Sequence, residues 1–291
     1  VSVLAETPPT LSPQAGRGGS GGGGPSDPVY VYLCYGRSPA AERELRYALE
    51  TLRAETPGDV AIYADRPEAF ADLDVTLVDA GALVAQARAH PYLHRLKPMV
   101  LADALRRFGR PCVLLDLDSF VRPGFARRVA QALEDGAAMN LFVRRDPYPF
   151  FPPFETDLPN LGRYRLDRAK ALMLNSGLVA ARAEHLPLIE DALALIDRLW
   201  DGGLHKHDVE QFAIAETLRL GGVKIALIDD VFVHYCPRWA RRFMRRALRR
   251  RAPGARIRLS KTRVRLFKAA WTLRLAMRKA RHWRGLSWRK T

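Results

Sequence analysis

Two carboxylates one residue apart, Asp116 and Asp118, close the apolar run from Cys112 to Leu115. In an extended chain alternate residues point the same way, so both side chains can hold one hard divalent cation, directly or through water. Magnesium or manganese held there would neutralise a diphosphate and stabilise it as a leaving group. Asp-x-Asp is common by chance, and its plain alternative is a solvated pair at a strand end. Its place strengthens it, because open α/β sheets bind ligands at the carboxyl ends of their strands.

The elements that must position this pair follow from hydrophobic period and punctuation. "VYVYLCYG" at 29–36 reads as a first strand ended by Gly. A helix follows, with Ser38 as its cap, Pro39 in its first turn and Leu45, Leu49 and Leu52 on one face. "DVAIYAD" and "DVTLVD" read as strands, His94 to Phe108 as a helix, and "CVLLDLDSFV" as a strand running into a loop. The helix "PGFARRVAQALEDG" and the strand "AMNLFV" come next. Later text gives the strand "ALMLNSGLVAAR", the helices "EHLPLIEDALALIDRLW" and "HDVEQFAIAETLRLGG", and the strands "VKIALID" and "VFVHYC". This alternation predicts an open α/β sheet. Residues 144–164, rich in Pro and aromatics, interrupt it and can be neither helix nor central strand. They read as a surface excursion, or as a lid or acceptor platform.

"RLKPMVLADALRRFGRPCVLLDLDSFV" resembles the central stretch of nucleotide-sugar glycosyltransferases of the GT-A fold, and further matches follow in family order. "MLNSGLVAAR" is similar to a strand of the glycogenin-like and lipopolysaccharide-galactosyltransferase-like group. "HDVEQFAIAETL" is similar to that group's Asp-Gln helix start, with Asp208, Glu210 and Gln211. The resemblance covers Val29 to about Trp239. It implies a GT-A type, Rossmann-like open mixed sheet flanked by helices, and transfer of a sugar from a nucleotide-diphosphate donor, UDP-linked by family habit, to a hydroxyl acceptor. It implies Mn²⁺ or Mg²⁺ on Asp116, Asp118 and His234, with Asp116 also on the donor ribose. Tyr35, Lys97, Asn175, Ser176 and Gly177 would meet the donor, and Asp208 and Gln211 would serve catalysis. The family's Lys after the His is missing here, so Arg238 or Arg241 is expected on the phosphates. The acceptor is an unidentified glycan or lipid-linked molecule. A second enzyme class, the haloacid-dehalogenase-like phosphatases, also ends an apolar strand in Asp-x-Asp, and Asp229-Asp230 could mimic their acidic metal motif. Their nucleophile sits on the first strand, however, and here three strands precede.

Composition bounds the rest. Apolar residues make up 48% of the 291 and charged residues 27%, which excludes a wholly disordered chain. Apolar runs fall short of the ~20 residues of a membrane span, and the N-terminal text lacks a secretory pattern. Cys34, Cys112 and Cys236 form no CxxC, which argues against structural zinc or a disulfide framework and fits a reducing compartment. The net charge of +16 is uneven. Residues 238–291 hold 21 Lys and Arg and no acid, leaving 26 basic against 31 acidic residues elsewhere. Three regions are expected: a disordered Gly/Ser/Pro-rich segment at 1–28, a catalytic domain at 29–237 and a basic amphipathic helical tail at 238–291. The tail breaks at Pro253-Gly254, and Phe267, Trp271 and Leu275 then recur among cations. That pattern fits attachment to an anionic membrane surface, on the cytoplasmic face of the cell membrane. Nucleic acid would satisfy the charge but would waste the apolar stripe. The bland alternatives are a non-enzymatic basic protein, or a tail that packs its apolar side on the domain.

Overall fold

Ser38 accepts a hydrogen bond from the Ala41 amide at 3.3 Å and so caps the first helix, which Pro39 pre-orders. The computed structural model describes residues 27–251 and Ile257. The expected segment 1–28 lies outside the described residues up to 26. So do the break at Pro253-Gly254 and the Phe267, Trp271, Leu275 stripe.

The first half runs β1 (Val29–Cys34), α1 (Pro39–Arg53), β2 (Val60–Ala64), β3 (Thr76–Asp79), α2 (Gly81–Ala89), α3 (Leu96–Phe108), β4 (Cys112–Leu115), β5 (Ser119–Val121) and α4 (Phe125–Asp135). The second runs β6 (Gly136–Met139), β7 (Phe142–Arg145), β8 (Glu155–Leu158), β9 (Gly162–Arg165), β10 (Leu172–Leu174), β11 (Leu178–Ala181), α5 (Leu186–Asp201), α6 (Val209–Leu220), β12 (Lys224–Leu227), β13 (Phe232–His234) and α7 (Arg238–Arg250).

Seven strands form the main sheet in the order β12-β6-β11-β4-β1-β2-β3. All run parallel except β11, which is antiparallel to both its neighbours. This is the open mixed α/β sheet flanked by helices that the sequence predicts. Alternating side chains build a core on each face. Val31, Leu114 and Val179 pack with α3, α5 and α6, while Tyr32, Leu115 and Ala180 pack with α1 and α4. The chain leaves β1 toward β2 and β3, then crosses back to place β4 on the other side of β1. Their carboxyl ends therefore splay apart, and that crevice is where such sheets take ligands.

Two expected strands are each broken in two, at matching levels. "AMNLFV" divides at Asn140-Leu141 into β6 and β7, and "ALMLNSGLVAAR" divides at Asn175-Ser176-Gly177 into β10 and β11. The breaks face one another: the Asn140 amide donates to the Asn175 carbonyl at 3.2 Å, and the Asn175 amide to the Leu141 carbonyl at 2.8 Å. The Pro- and aromatic-rich excursion is half structured, with β8 and β9 forming a hairpin. Asp191 of α5, fully buried, accepts from the Asn160 and Leu161 amides at the hairpin turn. Tyr148 packs edge-on against Phe212 of α6. Its inner side is therefore core, and Phe150 stands out at 74% exposure.

Helix α7, assigned to the tail by sequence, packs on α1. Ala240, Met244 and Leu248 are buried with Tyr47, Phe120, Val233 and Tyr235. Within 238–250 the apolar side thus lies on the domain, the blander of the two outcomes considered for this stretch.

Candidate metal and donor site

Two strand pairings assemble the site. β11 pairs antiparallel with β4, Leu178 opposite Leu115, so the turn Asn175–Gly177 lies beside Asp116. The Asp116 amide donates to the Gly177 carbonyl at 2.9 Å. β13 pairs with β5, His234 opposite Ser119, which sets the imidazole next to Asp118.

Asp116, Asp118 and His234 thereby converge, each offering one ligand atom within 4.8 Å of the others. Nε2 of His234 is 3.3 Å from a carboxylate oxygen of each aspartate. Its Nδ1 sits 2.9 Å from the Asn175 side-chain oxygen, which also accepts from Asn140 Nδ2 at 2.8 Å and the Gly177 amide at 3.1 Å. Since that oxygen can only accept, Nδ1 donates, and Nε2 faces the two carboxylates. Only a cation suits that point, a proton or a metal ion. Two carboxylates and one imidazole form a hard, mixed O/N donor set that fits Mn²⁺ well and Mg²⁺ acceptably. Gly177 is required by this packing, because a β-carbon there would stand 2.3 Å from Nδ1.

Positive groups flank the cluster. Lys97, in the first turn of α3, sets Nζ 2.7 Å from Asp116, and Nη1 of Arg241 on α7 lies 3.4 Å from Asp118. Burial opposes the charge on Asp118, but His234, Arg241 and Lys97 outweigh it and hold the carboxyl below its usual range. Burial would likewise push His234 down, yet Cys236 and Asp118 raise it well above an ordinary imidazole. Lys97 behaves alike: burial works against its charge, and Asp116 and Glu210 more than restore it.

These groups line one cleft of about 420 Å³ at the splayed ends of β1 and β4. Of the residues expected there, Tyr35, Lys97, Asp116, Asp118, Asn175, Ser176, Gln211 and His234 are on its wall. Gly177 lies just behind them. Gln211 accepts from Asn175 Nδ2 at 3.0 Å, so it braces the turn as well as facing the cleft. At two places the cleft wall takes a neighbouring residue of the same stretch. Asp208 is not on the cleft wall; Arg144 holds its carboxylate at 3.1 Å and Tyr148 donates to it at 3.3 Å. Glu210 fills that place, buried, accepting from Ser176 at 3.2 Å and from Tyr92. Burial lifts its carboxyl above the usual range, against the pull of Lys97 and Tyr92. Arg238 is exposed, while Arg241 reaches the cleft. The motif text signals both, since Glu210 and Arg241 stand two and three positions beyond Asp208 and Arg238 in the stretches already singled out. Tyr92, His94 and His207, also on or behind the wall, carry no such signal.

Asp229 and Asp230 do not join the cation cluster, and Asp230 pairs with Arg128 at 3.4 Å. Among the described residues, a phosphatase's second acidic motif is therefore not part of this site.

No protein-family model matches the chain, and no curated protein does. Among solved structures it is similar to mouse xyloside xylosyltransferase 1, apo form, at 14% sequence identity. The match covers 69% of this chain and 85% of that one, with a TM-score of 0.43.

Proposed function

We propose that this protein is a divalent-cation-dependent glycosyltransferase, moving a sugar from a nucleotide-diphosphate donor, UDP-linked in our reading, to a hydroxyl acceptor on a glycan or lipid-linked molecule. One observation carries the reading: Asp116, Asp118 and the Nε2 of His234 meet at the β1/β4 crevice of an open sheet. The ordered resemblance of the surrounding motifs supports it.

A cation on Asp116, Asp118 and His234, Mn²⁺ by preference, would supply the charge that makes a diphosphate leave. The chain's own groups do the rest. Lys97 and Arg241 bring fixed positive charge to the side of the site where the diphosphate would lie. Asn175 keeps His234 in the Nδ1–H tautomer. Glu210, Ser176 and Gln211 present acceptors and a donor suited to sugar hydroxyls. Leu33 and Tyr35, at the end of β1, provide an apolar and aromatic wall for the base.

We also propose a peripheral position on an anionic membrane surface at the cytoplasmic face. In support, Arg238, Arg242, Arg246, Arg249 and Arg250 of α7 are exposed, and further cations and bulky apolar residues follow in the sequence. Among the described residues no helix is long and apolar enough to cross a membrane.

A thermal-shift panel of nucleotide-diphosphate sugars with Mn²⁺ tests the donor class. A ligand at about a hundred times its Kd adds about 2.7 kcal/mol of stability to the native state. At least one UDP-sugar should raise the melting temperature with Mn²⁺ and not with EDTA. A panel without effect, together with turnover of p-nitrophenyl phosphate, would overturn the reading in favour of a phosphatase.

A further inference from the structure

Glu44 is a fully buried carboxylate on α1, on the side of the helix that meets α7. Two guanidinium groups close on it. Arg245 gives it two hydrogen bonds, Nε at 3.1 Å and Nη2 at 2.9 Å. Arg241 gives it two more, Nε and Nη2 both at 3.4 Å. A guanidinium is planar, so a two-point grip on Nε and Nη2 fixes the direction of the third nitrogen. For Arg241 that nitrogen, Nη1, lies 3.4 Å from Asp118, and the side chain is on the cleft wall.

We propose that Glu44 is a positioning residue for the donor's diphosphate: it holds Arg241 in the orientation that keeps Nη1 at the cation cluster. This role rests on the transferase reading above. It also means that α7 is part of the site. Its inner face delivers Arg241 while Met244 and Leu248 anchor it over Tyr47 and Tyr235. A lysine at position 241 would keep the charge but have no second nitrogen for the grip.

The alternative is that Glu44 merely pins α7 to α1, and a double-mutant cycle separates the two. The measurement is calorimetric affinity of the full chain for UDP with saturating Mn²⁺, beside thermal melts of each variant. Glu44→Gln should weaken UDP binding about tenfold, the scale of one charge-assisted contact. Arg241→Ala should weaken it at least as much. The double variant should bind no more weakly than Arg241→Ala alone, because Glu44 acts through that side chain. Additive losses would overturn the positioning role and leave a structural pin. Should Glu44→Gln fail to fold, Arg241→Lys answers the same question on a half-exposed residue: it should bind like Arg241→Ala, and wild-type affinity would overturn the role. A wild-type chain that binds no nucleotide with Mn²⁺ would instead remove the transferase reading, and this role with it.

Discussion

Gly177 lies so close beneath His234 that a β-carbon on it would come within 2.3 Å of the imidazole Nδ1 and 2.8 Å of the Asn175 oxygen. The glycine therefore acts on the cation site without touching it. Gly177→Ala must push the ring or break the Nδ1–Asn175 bond, and such supporting contacts are worth about 10–100-fold in metal affinity. Titration of Mn²⁺ by calorimetry should show that loss with the fold retained. Unchanged Mn²⁺ affinity would mean that His234 is no ligand.

Lys97 and a divalent cation compete for the same carboxylate, since Nζ is 2.7 Å from Asp116. Lys97→Ala should leave Mn²⁺ affinity equal or higher, because a neighbouring positive charge is removed. Binding of UDP-sugar should fall about tenfold or more, because a charge meant for phosphate is lost. Separate titrations of metal and nucleotide check this split. A parallel fall of both affinities would make Lys97 a structural partner of Asp116 and Glu210.

The outline of the fold was legible because its sheet strands are short apolar runs between well-marked helices, as at Cys112–Leu115 and Pro39–Arg53. The aspartate pair was legible because it ends one of those runs. What escaped was set by pairing across long stretches of chain. The breaks at Asn140 and Asn175 exist because each satisfies the other's backbone, and neither half shows this alone. His234 could be placed by resemblance, but its contact with Asp118 depends on β5 and β13, three-residue strands too short for any periodic signal. Asp208 and Arg238 missed the cleft by a fraction of a helical turn. At helix starts a charged residue is as readily a neighbour's ion-pair partner as a site residue, and Asp208 went to Arg144.

Membrane attachment needs a truncation that spares α7, since removal from Arg238 onward would take Arg241 and Met244 with it. The informative comparison is the full chain against residues 1–251. The full chain should pellet with vesicles containing phosphatidylserine, the shorter one much less, and high salt should release both, as screening requires. Equal pelleting of the two, or capture by neutral vesicles alone, would contradict the proposed surface.

The central claim is a cation-dependent site at Asp116, Asp118 and His234, and donor turnover tests it most directly. Release of UDP from UDP-sugars by the purified chain should require Mn²⁺ or Mg²⁺ and stop with EDTA. Asp118→Ala should lower it by at least about a hundredfold, the scale of losing a principal electrostatic contributor, while the variant's melting curve remains cooperative. Turnover that persists in EDTA, or that survives Asp118→Ala, would contradict the account.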